Sequence, residues 1–131
     1  MKKIILTLIA LGCFSFLTGC SLLPAKPPQP AVYQGKAIYG KASYYGDKHH
    51  GKATANGEIY DKNKLTCAHK TLPFETICRV TNLANNKSVI VRVNDRGPFV
   101  RGRIIDLSYK AILAIDGLKA GVIDVRVEVI E

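Results

Sequence analysis

The sequence predicts a mainly β fold, a small barrel with one or two short helices, in one domain over residues 36–131. Three observations predict it. The strand signals are short, evenly spaced and separated by turn residues, unlike the long alternating elements of βαβ repeats. Only one stretch carries both a start and a stop signal for a helix. About 95 residues can bury one core but not two, and many short strands with little helix are best satisfied by closure, which leaves no sheet edge exposed.

The elements follow in order. Ala37 to Tyr45 forms a first β segment ending at Gly46. Ile77 to Leu83 and Ser88 to Val93 alternate in polarity and meet at Asn85-Asn86, residues that tolerate the positive φ of a tight hairpin. Arg103 to Leu107 is a further short strand. Ser108 is a helix N-cap candidate, followed by Ile112 and Ile115 on one side and Gly117 as the stop. Val122 to Ile130 alternates Asp124, Arg126 and Glu128 with Ile123, Val125, Val127 and Val129, so one face is apolar.

The first 35 residues have a different character. Lys2 and Lys3 precede an uncharged apolar run from Ile4 to Leu17, shorter than the roughly 20 residues of a membrane-spanning helix. Residues 1–19 are therefore expected to be a signal peptide. Leu17-Thr18-Gly19-Cys20 resembles the lipobox of bacterial lipoproteins, which implies cleavage before Cys20 and palmitate-type acylation of its thiol. Two or three acyl chains anchor stably where one does not. Residues 20–35, with prolines at 24, 27, 28 and 30, read as an extended tether. The expected location is the periplasmic face of the cell envelope. Ser21 after Cys20 favours the outer membrane over the inner.

The chain carries a formal charge of +9, and losing Lys2 and Lys3 with the signal leaves +7. A basic exported domain suits an anionic polymer or surface. No stretch interleaves basic and aromatic residues into a stacking platform, so nucleic acid is not an expected partner. Cys67 and Cys78 flank Leu72-Pro73 almost symmetrically. If residues 65–82 fold back as a hairpin the two face each other, and a disulfide is expected; two buried free thiols are the alternative.

Three polar clusters remain. The first runs from Tyr44-Tyr45-Gly46 through His49-His50-Gly51 to Thr54-Ala55-Asn56-Gly57-Glu58, a long turning segment of the kind that carries function on a rigid scaffold. Adjacent histidines point apart on a strand and no further ligand has zinc-site spacing, so neither metal nor other cofactor is expected. Alone, Glu58 reads as a turn residue and His69, in the second cluster, as a structural histidine. In the third, Asn94-Asp95-Arg96-Gly97-Pro98-Phe99, a strand breaks into a turn, and Arg96 is placed to hold a carboxylate or an anionic ligand.

Together these residues resemble the rare lipoprotein A family over about residues 38–130. The resemblance rests on Ala42-Ser43-Tyr44-Tyr45-Gly46, Thr54-Ala55-Asn56-Gly57-Glu58, Ala68-His69-Lys70-Thr71-Leu72-Pro73, Val91-Arg92-Val93-Asn94-Asp95-Arg96-Gly97-Pro98-Phe99 and Arg103-Ile104-Ile105-Asp106-Leu107-Ser108. It implies a six-stranded double-psi β-barrel, related in fold to expansins, and endolytic lytic transglycosylase activity on peptidoglycan strands stripped of peptides. It maps the catalytic carboxylate onto Asp95 and supporting groups onto Glu58 and His69. Tyr44, Tyr45, His50, Asn94, Arg96 and Phe99 become candidates for substrate binding, with core packing the alternative for the aromatics.

On this reading Glu58 supplies a like charge that keeps Asp95 protonated, His69 orients or shuttles a proton, and Arg96 turns away from Asp95. His49 departs from the family's usual aromatic, and Cys67 and Cys78 from small apolar residues. Many members continue into a septal-type peptidoglycan-binding domain, whereas this sequence stops at Glu131. The expected partners are glycan strands, the membrane and division-site proteins. The rival reading is a lipoprotein that holds glycan without cleaving it.

Overall fold

A computed structural model describes residues 35–130. The expected signal peptide, Cys20 and most of the tether lie outside the described residues.

The strands are β1 (Ala37–Tyr44), β2 (Thr66–His69), β3 (Ile77–Asn82), β4 (Ser88–Asp95), β5 (Arg103–Leu107) and β6 (Ile123–Val129), with one α-helix, α1 (Tyr109–Ala114), and a 3-10 turn at Asp47–His49. They close into a barrel in the order β1-β5-β2-β4-β3-β6. β1 with β5 and β2 with β4 are parallel, and each of these two pairs has one register shift, at Lys41/Ala42 and Cys67/Ala68. The other four pairs are antiparallel. This is the closed six-stranded barrel the sequence led us to expect.

The alternation around Val122–Ile130 is realised in β6, where Ile123, Val125, Val127 and Val129 are buried. Val89, Val91 and Val93 of β4, Val80 of β3 and Ile105 and Leu107 of β5 fill the same interior. Each such burial contributes roughly 1.5–3 kcal/mol relative to exposure. Asn86 takes φ +63 in the β3–β4 hairpin, as its position predicts. Ser108 caps α1: its Oγ accepts from Ala111 N at 3.3 Å and donates to Lys64 O at 2.6 Å, so it also fixes the loop entering β2. Gly117 closes the helix side, because a Cβ there would lie 2.5 Å from Ile112 Cδ1.

The hairpin expected over residues 65–82 does not form. β4 runs between β2 and β3, so Cys67 stands opposite Val93 and Leu107, and Cys78 opposite Val91 and Val129. Both cysteines are buried free thiols, which corrects the expected disulfide. Burial raises the Cys78 thiol to about 12 and pushes Cys67 well above its ordinary value, so both are poor nucleophiles at neutral pH.

Candidate active site

β4 turns one face to the core and the other to the site. Val89, Val91 and Val93 point into the core, and Arg92 and Asn94 take the alternate positions. The strand ends at Asp95, opposite Ala68 of β2. Over this end lies the loop from Ala53 to Ile59, itself pinned by a bridge between those two residues. Gly57, at φ +89, supplies the left-handed turn at its tip.

The loop is bound to β4 through Glu58. Arg92 forks its carboxylate, Nη1 to Oε1 at 2.6 Å and Nη2 to Oε2 at 2.9 Å. Asn56 Nδ2 donates to Oε1 at 2.9 Å and Asn94 Nδ2 to Oε2 at 3.3 Å. The Arg92 hydrogen bonds, with those of the two amides, lower Glu58 from 4.5 to about 2. Arg92 Nη1 also donates to Glu75 Oε1 at 3.0 Å. Glu75 adopts φ +72, a costly conformation for a residue with a Cβ, and its own N–H is held by Val93 O at 2.9 Å. Glu58 is therefore a fixed anion paired to a cation, so the like charge expected from it is offset by Arg92.

Asp95 takes three donors. Its Oδ1 accepts from Ala55 N at 2.9 Å and Arg96 N at 2.8 Å, and its Oδ2 from Tyr45 Oη at 2.5 Å. The Arg96 guanidinium points elsewhere, toward backbone carbonyls, as an acid role for Asp95 led us to expect: its Nη1 donates to Leu72 O at 2.9 Å and His69 O at 3.2 Å, and the guanidinium lies 3.9 Å from the centre of the Phe74 ring. It braces the β2–β3 connection.

His69 is buried, and its Nδ1 accepts from Thr71 N at 3.2 Å and Leu72 N at 3.1 Å. Nδ1 therefore carries no proton and the hydrogen sits on Nε2. Burial first, then Arg96 and Lys70, lower His69 from 6.5 to about 4. At neutral pH the imidazole is therefore neutral and anchored by two backbone amides. Because protonation favours the unfolded chain, this depression contributes stability that is complete above pH 6.5 and lost as pH falls toward 4. Up to about 3 kcal/mol is expected in that window. His69→Asn, which keeps an acceptor for the two amides, should flatten the dependence of the unfolding free energy between pH 7 and 4.5. Equal slopes for the two proteins would exclude His69 as the source.

The aromatic candidates separate. Tyr45 is packed between Tyr60, with ring centres 4.7 Å apart, and His49, at 5.4 Å. Exposed His50 is held by Lys62 N–H at 3.2 Å and stands edge-on to Tyr60, so it belongs to the same wall. Phe99 is 86% exposed, free to meet a ligand. Tyr44 packs against the core and joins none of these contacts. Asn94 is 2% exposed and serves Glu58 directly.

A family model described as "Lytic transglycolase" matches residues 37–127. The chain belongs to that family. It is 59% identical over 99 residues to the endolytic peptidoglycan transglycosylase RlpA of Campylobacter jejuni, covering 76% of this chain and 36% of that protein. The RlpA of Vibrio cholerae is 60% identical over 91 residues, 70% of this chain and 35% of the other. The chain thus spans about a third of the length of these relatives. Among solved structures, a Streptomyces papain inhibitor aligns with TM-score 0.62 at 24% identity, over 75% of this chain and 97% of that one. A Clavibacter michiganensis expansin aligns with TM-score 0.59 at 20% identity, over 73% and 51%. These last two bear on the fold alone.

Within this family member, sequence reasoning missed Arg92, Glu75 and the Ala55 N–H as parts of the site. Arg92 and Asn94 share a face of β4 by simple alternation, and that was the available signal. Their common target on the Ala53–Ile59 loop lies 34 and 36 residues away.

Proposed function

We propose that this chain is an endolytic peptidoglycan lytic transglycosylase acting on peptide-denuded glycan, with Asp95 as its proton-exchanging group. The observation that carries the reading is the division of labour between two carboxylates: Glu58 is locked to Arg92, whereas among the described residues Asp95 Oδ2 meets only a phenol. A hydrolase generally needs two carboxyls that change protonation or attack. A lytic transglycosylase needs one. Asp95 protonates the oxygen leaving muramic C1, then accepts the proton of the muramic 6-hydroxyl as that oxygen attacks C1, giving a 1,6-anhydro end without water. Glu58, as an anchored anion, holds the loop whose Ala55 N–H aligns Asp95, and Phe99 offers an exposed face to a sugar ring.

We further propose that acylated Cys20 and the proline-rich tether hold this domain at the periplasmic face of the outer membrane, where a basic surface meets the wall. Incubating the purified protein with amidase-treated glycan strands should release fragments with 1,6-anhydromuramyl ends, detected by mass spectrometry. Binding of strands without such ends would replace the enzyme by a glycan-holding lipoprotein.

A further inference from the structure

The two oxygens of Asp95 are not equivalent. Oδ1 receives two backbone amides, Ala55 N–H at 2.9 Å and Arg96 N–H at 2.8 Å. An amide N–H can only donate, so a proton on Oδ1 would face two other protons. Among the described residues Oδ2 has a single hydrogen-bond partner, the Tyr45 hydroxyl at 2.5 Å, within the range of charge-assisted O–H···O⁻ bonds. A phenol both donates and accepts.

We propose that Tyr45 is the positioning residue for proton transfer, donating to Oδ2 when Asp95 is ionised and turning to accept when Oδ2 is protonated. This rests on the lytic transglycosylase reading and deepens it. In the first half-reaction the Oδ2 proton moves to the departing glycosidic oxygen, which keeps the electron pair of the broken C1–O bond. In the second, Oδ2 takes the proton of the 6-hydroxyl as its oxygen bonds to C1. Asp95 ends protonated as it began, and Tyr45 keeps its own proton throughout.

The surroundings suit that role. The Tyr45 ring is held by Tyr60 and His49, and its backbone N–H by Leu107 O at 3.0 Å, so only the hydroxyl hydrogen is left to turn. Burial, then Asp95, push the phenol far above its ordinary value, which keeps it protonated. The other ionisable groups facing it are Asp106 on β5 and Cys67 on β2. Asp106 is forked by Arg103 at 2.7 and 2.8 Å, and Cys67 is a buried thiol. His49 and Tyr60 contribute ring faces.

The test is Tyr45→Phe, which removes the hydroxyl and keeps the ring. A donor to a carboxylate favours its ionised form, so losing it keeps the acid loaded to higher pH. The expected result on denuded glycan is a kcat lower by roughly 10–100-fold, with KM little changed. The basic limb of the kcat profile should move up by about one pH unit. Fluorotyrosine at position 45, nearly isosteric and a stronger donor, should move that limb down, and it decides the matter alone if the Phe variant does not fold. A limb unmoved in both proteins, or a raised KM with kcat intact, would overturn the proposal and leave Tyr45 as packing or a sugar platform. Asp95→Asn separates the two levels. Full activity in that variant sinks the Asp95 reading and Tyr45 with it, whereas an inactive Asp95→Asn beside unmoved Tyr45 limbs sinks Tyr45 alone.

Discussion

Asp95→Asn is expected to abolish the release of 1,6-anhydro ends, by about 10³-fold or more, while the barrel stays folded. The amide oxygen can still accept from Ala55 N–H and Arg96 N–H, the two contacts that fix the side chain. What is lost is an oxygen able to give and then take a proton, and general acid–base contributions of about 10²–10⁴ are typical of one such group. Asp95 also lies at the end of β4, away from the buried valines, so its replacement leaves the core untouched. The informative pair of measurements is anhydro-end formation and the thermal midpoint. An unchanged midpoint with no product supports the assignment, and wild-type product formation refutes it.

Arg92→Met should be nearly as damaging although Arg92 does not touch Asp95. The substitution removes three hydrogen bonds from one guanidinium and leaves the carboxylates of Glu58 and Glu75 without their cation. Glu58 then keeps only the two amides, and the Ala53–Ile59 loop loses its main tie to β4. Since that loop delivers the Ala55 N–H to Asp95, a displacement near 1 Å is expected to cost about 10²-fold in kcat. A second readout follows from charge. In the wild type Glu58 is depressed from 4.5 to about 2, so its contribution to stability is complete above pH 4.5 and fades as pH falls toward 2. Without Arg92 that acid-sensitive component should shrink, and unfolding curves between pH 5 and 2 check it. Full turnover by Arg92→Met would show that loop position is irrelevant to the reaction.

What was legible in the sequence was local. The β6 alternation, the Ser108 cap, the Asn85-Asn86 turn and the strand at Arg103–Leu107 each depend on a few neighbouring residues, and each is found where the pattern puts it. The missed features are long-range. β2 is four residues long and buried throughout, so it shows no alternation, and nothing local announces that β4 slides between it and β3. That insertion, unseen, produced the false hairpin around Leu72-Pro73. Glu58 alone resembles any turn carboxylate, and only Arg92, 34 residues on, makes it a locked anion. The resemblance located Asp95, Glu58 and His69 but not their charge states, which follow from partners that the fold supplies.

Closure has a consequence in time. Of the six strand pairs among the described residues, only β3 with β4 joins neighbours in sequence, and β1 pairs solely with β5 and β6, the last two of the described strands. A topology so dominated by distant pairings folds slowly, in milliseconds to seconds. The β3–β4 hairpin can form early, but β1 must wait, unpaired, until almost the whole domain has been made. Such delay suits a chain proposed to cross a membrane before it folds: while the barrel is open it can still be threaded.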